Sequence, residues 1–163
     1  MAEVTASGGI FETTLVLTCV DFRVNPDLFL QTKPQVADIE DQILVARNPA
    51  GRVDAAFVQE IMLFEAFLGL KSVLVIHHTG KYLSLNCGAS HFKDTEIHKF
   101  HKNRLPNHSE IDQMIFGAFN NLEESVRQDI HILKTSPYIP KNLADNCHGF
   151  VYDIQTGGLT PVE

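Results

Sequence analysis

Four short runs of apolar and β-branched residues punctuate the chain, each too brief for a helix: Thr13 to Cys19 (TTLVLTC), Gln42 to Ala46 (QILVA), Lys71 to His77 (KSVLVIH) and Gly149 to Ile154 (GFVYDI). Such runs predict buried strands. Between them the apolar period lengthens. Val53 to Leu70 predicts a long helix, with Phe57, Ile61, Phe64 and Leu68 on one stripe and Gly69 near its close. Asn25-Pro26 reads as an N-cap followed by proline at the first helical position, opening a short helix through Leu30. Asp94 to Leu105 predicts a short polar helix ended by Pro106. Ser109 starts another that is expected to run to Lys134, before Pro137. Arg47 to Gly51, Thr79 to Asn86 and Thr156 to Gly158 read as turns and loops.

Buried strands alternating with helices predict an α/β fold: a central, mostly parallel β-sheet flanked by helices. With 163 residues, no repeat and no linker, the chain is expected to be one domain spanning residues 1–163. In such sheets ligands bind beyond the carboxyl ends of the strands. Cys19 closes the first run, Arg47 follows the second, His78 follows the third, and Cys87 lies beyond it.

Composition narrows the classes. The hydrophobic fraction is 44% and the charged fraction 20%, with a formal net charge of −7 and no basic run, so no nucleic-acid footprint is expected. No apolar run is long enough for a membrane span. Met1 to Glu12 lacks a secretory pattern. Three widely spaced cysteines, Cys19, Cys87 and Cys147, make a poor disulfide framework, and a cytoplasmic protein with reduced thiols is expected.

Two cysteines and a histidine can form a catalytic zinc site, leaving the fourth tetrahedral position to water. The plainer alternative makes Cys19 a small core residue and Cys87 an incidental loop thiol. Cys19, Asp21 and Arg23 occupy alternate positions and would share one face if the strand continued. A carboxylate beside a guanidinium stays ionised and can accept a hydrogen bond from a reacting water. Taken alone, Asp21 and Arg23 are more simply read as a structural ion pair at a strand end. His77 and His78 are neighbours, so on a strand only one can reach a given site. His98 and His101, at i and i+3, are expected to be solvated, and Cys147 to be a buried spare.

The motifs resemble those of the β-carbonic anhydrases. That family carries C-x-D-x-R after its first strand, here Cys19, Asp21 and Arg23. It carries R-N-A-G-G after the second, here Arg47-Asn48-Pro49-Ala50-Gly51. It carries H-T-x-C-G after the third, with a double histidine in short members, here His77-His78-Thr79 and then Cys87-Gly88. The ending HGFVYDIQTGGL is also similar to that of short members, among which carbonyl sulfide hydrolases occur. The resemblance runs from about Thr13 to the C-terminus.

It implies one Zn2+ per chain held by Cys19, His78 and Cys87. Asp21, paired with Arg23, orients the nucleophile or becomes a ligand in a resting form. It further implies a homodimer or homotetramer acting on a small molecule. Hydration of CO2 to bicarbonate is the first expectation, and hydrolysis of carbonyl sulfide to hydrogen sulfide and CO2 the alternative. Two departures stand out. Gly80 to Asn86 lengthens the spacing to Cys87, and Pro49 and Ala50 replace more flexible residues. If the lengthened loop disables the site, a catalytically degenerate oligomeric scaffold is the remaining reading.

Overall fold

The computed structural model describes residues 12–30, 41–80 and 92–163. Strand β1 (Glu12–Cys19) lies between β2 (Asp41–Asn48) and β3 (Leu70–His78), and β4 (Cys147–Tyr152) and β5 (Leu159–Val162) complete a sheet of order β2-β1-β3-β4-β5. All pairings are parallel except β4–β5. The predicted α/β architecture is therefore present; both faces are covered at the central strands β1 and β3, whereas β2 at the edge leaves Val45 41% exposed. Strand β5 escapes a pattern reading: it is short and carries Pro161, which an edge strand tolerates.

One face of the sheet packs on α2 (Ala55–Leu68), α4 (Leu122–Thr135) and α5 (Lys141–Ala144). Leu15, Leu17, Val73 and Val75 meet Phe57, Ile61, Leu133 and Leu143 there. On the other face Val16, Ile76 and Tyr152 bury Val24 and meet Phe29 of α1 (Pro26–Phe29). Asn25 caps α1 by accepting the Asp27 N–H at 3.1 Å, as the Asn-Pro pair predicts. Helix α2 is shorter than expected, beginning after the Asp54 cap, with Gly69 at φ 66° closing it. Its stripe is only half buried: Phe57 and Ile61 are sealed, whereas Leu68 is 42% exposed.

Helix α3 spans Asp94–Arg104, close to expectation. The continuous helix from Ser109 to Lys134 does not form. A 3-10 turn covers Ser109–Gln113, an irregular stretch follows, and α4 starts anew behind Asn121, whose side chain accepts the Glu124 N–H at 2.9 Å. Asp94 accepts the backbone N–H groups of Phe116 and Ala118, each at 3.1 Å, holding that stretch on α3. Among the described residues no helix is long and apolar enough to cross a membrane.

Candidate metal centre

The parallel register sets β1 beside β3, with Thr18 opposite Ile76, so Cys19 and His78 leave the sheet at the same edge. Cys19 is 4% exposed and His78 is 2% exposed. Asp21 and Arg23 reach this edge by a different route from the one expected. The strand ends at Cys19, and a tight turn, rather than strand alternation, brings the two side chains together. The turn is closed by Asp21, whose Oδ1 accepts the Arg23 backbone N–H at 2.9 Å.

Arg23 also grips Asp21 through its guanidinium, Nε to Oδ1 at 2.9 Å and a second nitrogen to Oδ2. That fork is the main reason the Asp21 carboxyl is lowered to about 2. The Arg23 backbone N–H and the nearby charge of Arg23 act in the same direction, against partial burial. The Asp21 backbone N–H donates to Cys19 Sγ at 3.4 Å. Cys19, Asp21 and Arg23 thus form one connected unit. Arg47, from the end of β2, staples it by donating to three carbonyl oxygens: Cys19 at 3.1 Å, and Asp21 and Val24 at 2.8 Å.

The two histidines are sharply different. His77 lies against α4, with Nδ1 2.8 Å from Ser125 Oγ and Nε2 3.1 Å from both the Gly51 oxygen and Asp129 Oδ2. Both of its ring nitrogens are engaged. His78 donates Nδ1–H to the Thr79 carbonyl at 2.8 Å, which leaves the lone pair on Nε2. That Nε2 is buried and has no hydrogen-bond partner among the described residues. A buried acceptor nitrogen without a donor is costly unless something else binds it. An imidazole lone pair at the strand ends where Cys19 and Asp21 also emerge suits a divalent metal of zinc type. Cys87, the third expected ligand, lies outside the described residues, as does most of the Gly80 to Asn86 segment. Among the described residues no three His, Cys, Asp or Glu side chains gather as a metal-holding group.

The remaining candidates fall away from the centre. His98 is half-buried and its Nε2 donates to the Met114 oxygen at 2.7 Å. Cys147 is fully buried, donates to the Leu143 oxygen at 3.3 Å, and has its thiol pushed up to about 11 by burial.

Two residues around the centre, Asp129 and Phe119, escape sequence reasoning, and the Pro49–Gly51 turn that it does read carries a strain that spacing does not reveal. Asp129 is 0% exposed; it accepts the Val53 N–H at 3.1 Å and two nitrogens of Arg52 at 3.0–3.1 Å, and faces His77. Phe119 packs on Cys19 and Ala50 and stacks on His77 with 5.9 Å between ring centres. The turn Pro49–Gly51 places Ala50 at φ 69°, ψ −9°, a left-handed conformation that costs a residue with a Cβ about 1–2 kcal/mol. Gly51 follows at φ 69°, and a Cβ there would stand 3.0 Å from the Cys19 nitrogen. Only glycine lets this turn lie against β1.

No family model matches the chain. Carbon disulfide hydrolase of Saccharolobus solfataricus is 29% identical over 88% of this chain and 74% of that protein. Among solved structures, a carbonic anhydrase from Streptococcus mutans is 31% identical, covers 94% of this chain and 84% of its own, and superposes with a TM-score of 0.74. An apo form of carbon disulfide hydrolase shares the fold at a TM-score of 0.76 and 24% identity, over 98% of this chain and 84% of that one. With its sheet order, its C-x-D-x-R turn and its double histidine, the chain belongs to the β-carbonic anhydrase family of enzymes, which has carbon disulfide hydrolases among its members.

Proposed function

We propose that the chain is a zinc enzyme hydrating CO2 to bicarbonate, with Cys19, His78 and Cys87 holding the metal and Asp21 and Arg23 serving the reaction. The observation that carries it is the buried Nε2 of His78, which has no hydrogen-bond partner among the described residues and lies at the strand end that Cys19 also closes. Zinc, if bound by these residues, would supply a hydroxide nucleophile at neutral pH.

The chain's own residues supply the rest. Asp21, kept ionised by Arg23, can only accept a hydrogen bond. It therefore orients the O–H of the nucleophile and leaves the attacking lone pair toward the carbon of CO2. Attack forms one C–O bond, opens one C=O π bond and gives bicarbonate. Arg47 keeps the Asp21 turn from drifting by holding its carbonyls. Thr79 fixes the His78 ring through its carbonyl.

A second reading keeps the same residues and changes the substrate to a sulfur heterocumulene, carbonyl sulfide or carbon disulfide. It is favoured by the 29% and 26% identities to carbon disulfide hydrolases. All three substrates are linear and electrophilic at carbon, so the choice rests on the pocket wall, where a methylene's difference is worth only about 1–3 kcal/mol. The reading includes a homodimer or homotetramer. The outer side of α2 supports it, because Leu63 and Phe67 are 52% and 68% exposed.

The test is zinc content and turnover on CO2 and on carbonyl sulfide, in wild type and in Asp21→Ala. One zinc per chain is expected, with turnover lowered roughly 100-fold or more in the variant while zinc is retained. Carefully purified protein without zinc would point to a degenerate scaffold. Fast sulfide release with negligible CO2 hydration would select the second reading, and sulfide release that survives the substitution would refute a single shared site.

A further inference from the structure

Asp129 concentrates bonds from three residues, on two separate segments, on one fully buried carboxylate. Oδ1 takes the fork of Arg52, while Oδ2 takes the Val53 N–H and faces His77 Nε2. The same Nε2 reaches back to the Gly51 oxygen. Every one of these contacts bears on the Pro49–Gly51 turn or on the residue before His78. The turn they grip is the one whose backbone is least comfortable. Ala50 adopts φ 69° with a side chain, and Gly51 is pressed against the Cys19 amide. Such a conformation persists only where its surroundings over-determine it. The ring of Phe119 closes the other side, against Ala50 and Cys19 and 6.0 Å from the Arg52 guanidinium.

We propose that Asp129 is a positioning residue for the candidate metal centre: through Arg52, Val53 and His77 it clamps the strained Pro49–Gly51 turn against the Cys19 backbone, and so sets where Cys19 and His78 present their donor atoms. This rests on the zinc reading of those two residues. A carboxylate that merely neutralised Arg52 in the interior would stabilise the fold without tuning the centre. The clamp predicts a coupling that neutralisation does not. Glycine adopts a left-handed backbone freely, so a turn relieved by Ala50→Gly needs the clamp less.

The experiment compares wild type, Asp129→Asn, Ala50→Gly and the double variant at a temperature where all are folded. Two quantities are read: backbone amide NMR of the metal-free chain, and Co(II) affinity from the thiolate-to-metal absorption. Asp129→Asn is expected to shift the amides of Cys19, Ala50 and Gly51 while those of the β4–β5 pair stay. It is also expected to weaken Co(II) binding about 10–100-fold, as loss of a support behind a ligand typically does. In the Ala50→Gly background the same substitution should cost only a few-fold. A lowered melting temperature with unmoved turn amides and unchanged Co(II) affinity would overturn the proposal, as would an equal loss in both backgrounds. If wild type takes up no Co(II), the zinc reading fails, and the metal-free amide shifts still decide whether the clamp exists. Should Asp129→Asn not fold, Arg52→Lys breaks the fork from its exposed side and is expected to move the same quantities.

Discussion

Asp21 owes its ionisation first to the Arg23 side chain, with the Arg23 backbone N–H and local charges adding to it. Its carboxyl titrates near 2 in the fold against 3.8 for the ordinary group, so the folded value is the lower one. The pair therefore contributes its full stability above about pH 4 and loses it as pH falls from there through 2. Arg23→Gln removes the largest cause and leaves burial to act upward. A carboxyl 13C titration of metal-free protein should then find the Asp21 midpoint returned to the ordinary carboxylate range or above it. A midpoint still near 2 would mean that the backbone N–H, rather than the fork, controls this group. The residue-scale chemistry was legible as far as it was local. Cys19, Asp21 and Arg23 announce themselves by spacing, and the adjacency of His77 and His78 told that only one could serve. What spacing could not reveal is Asp129, because a carboxylate on a helix that also carries Glu123 and Glu124 looks like any solvated acid until the helix is docked.

At the level of elements, the central strands β1 and β3 were readable because they are largely sealed on both faces and so run nearly continuously apolar. The predicted helix beyond Ser109 failed for a physical reason. Ile111, Met114, Ile115 and Ala118 mimic a helical period, yet Ile115 is 88% exposed and the Phe116 and Ala118 amides are taken by Asp94. Gly117 sits at φ 75° within that stretch. The true start, Asn121 with Glu124 three residues on, carried a capping signal that the longer apolar pattern overrode. How closely α4 then docks on β4 is testable. A Cβ on Gly149 would stand 2.3 Å from Val126 Cγ1 and 3.0 Å from Ile130 Cγ1. Val126 is β-branched and stiff, so the helix must move. Gly149→Ala should cost about 1–3 kcal/mol in urea unfolding with an unchanged m-value. A neutral result would show that the α4–β4 contact is softer than its geometry indicates.

For the molecule as a whole, α2 is the element left incompletely covered. Met62, Leu63, Phe67 and Leu68 are each at least 42% exposed on a helix that already buries Phe57 and Ile61. A helix apolar on most of its circumference belongs inside something. Light scattering should accordingly give a mass at least twice the 18.2 kDa of one chain, and Leu63→Glu with Phe67→Glu should move it toward the monomer. An unchanged mass would place the subunit contact elsewhere. The clamp behind Cys19 also orders events in time. A ribosome delivers Cys19 before α4, with which Ser125 and Asp129 emerge, and β4 later still. A nascent chain thus carries Cys19 and the Pro49–Gly51 turn for a time without the carboxylate that clamps them, and in the proposed centre the metal would be captured by a folded protein rather than recruited to fold it.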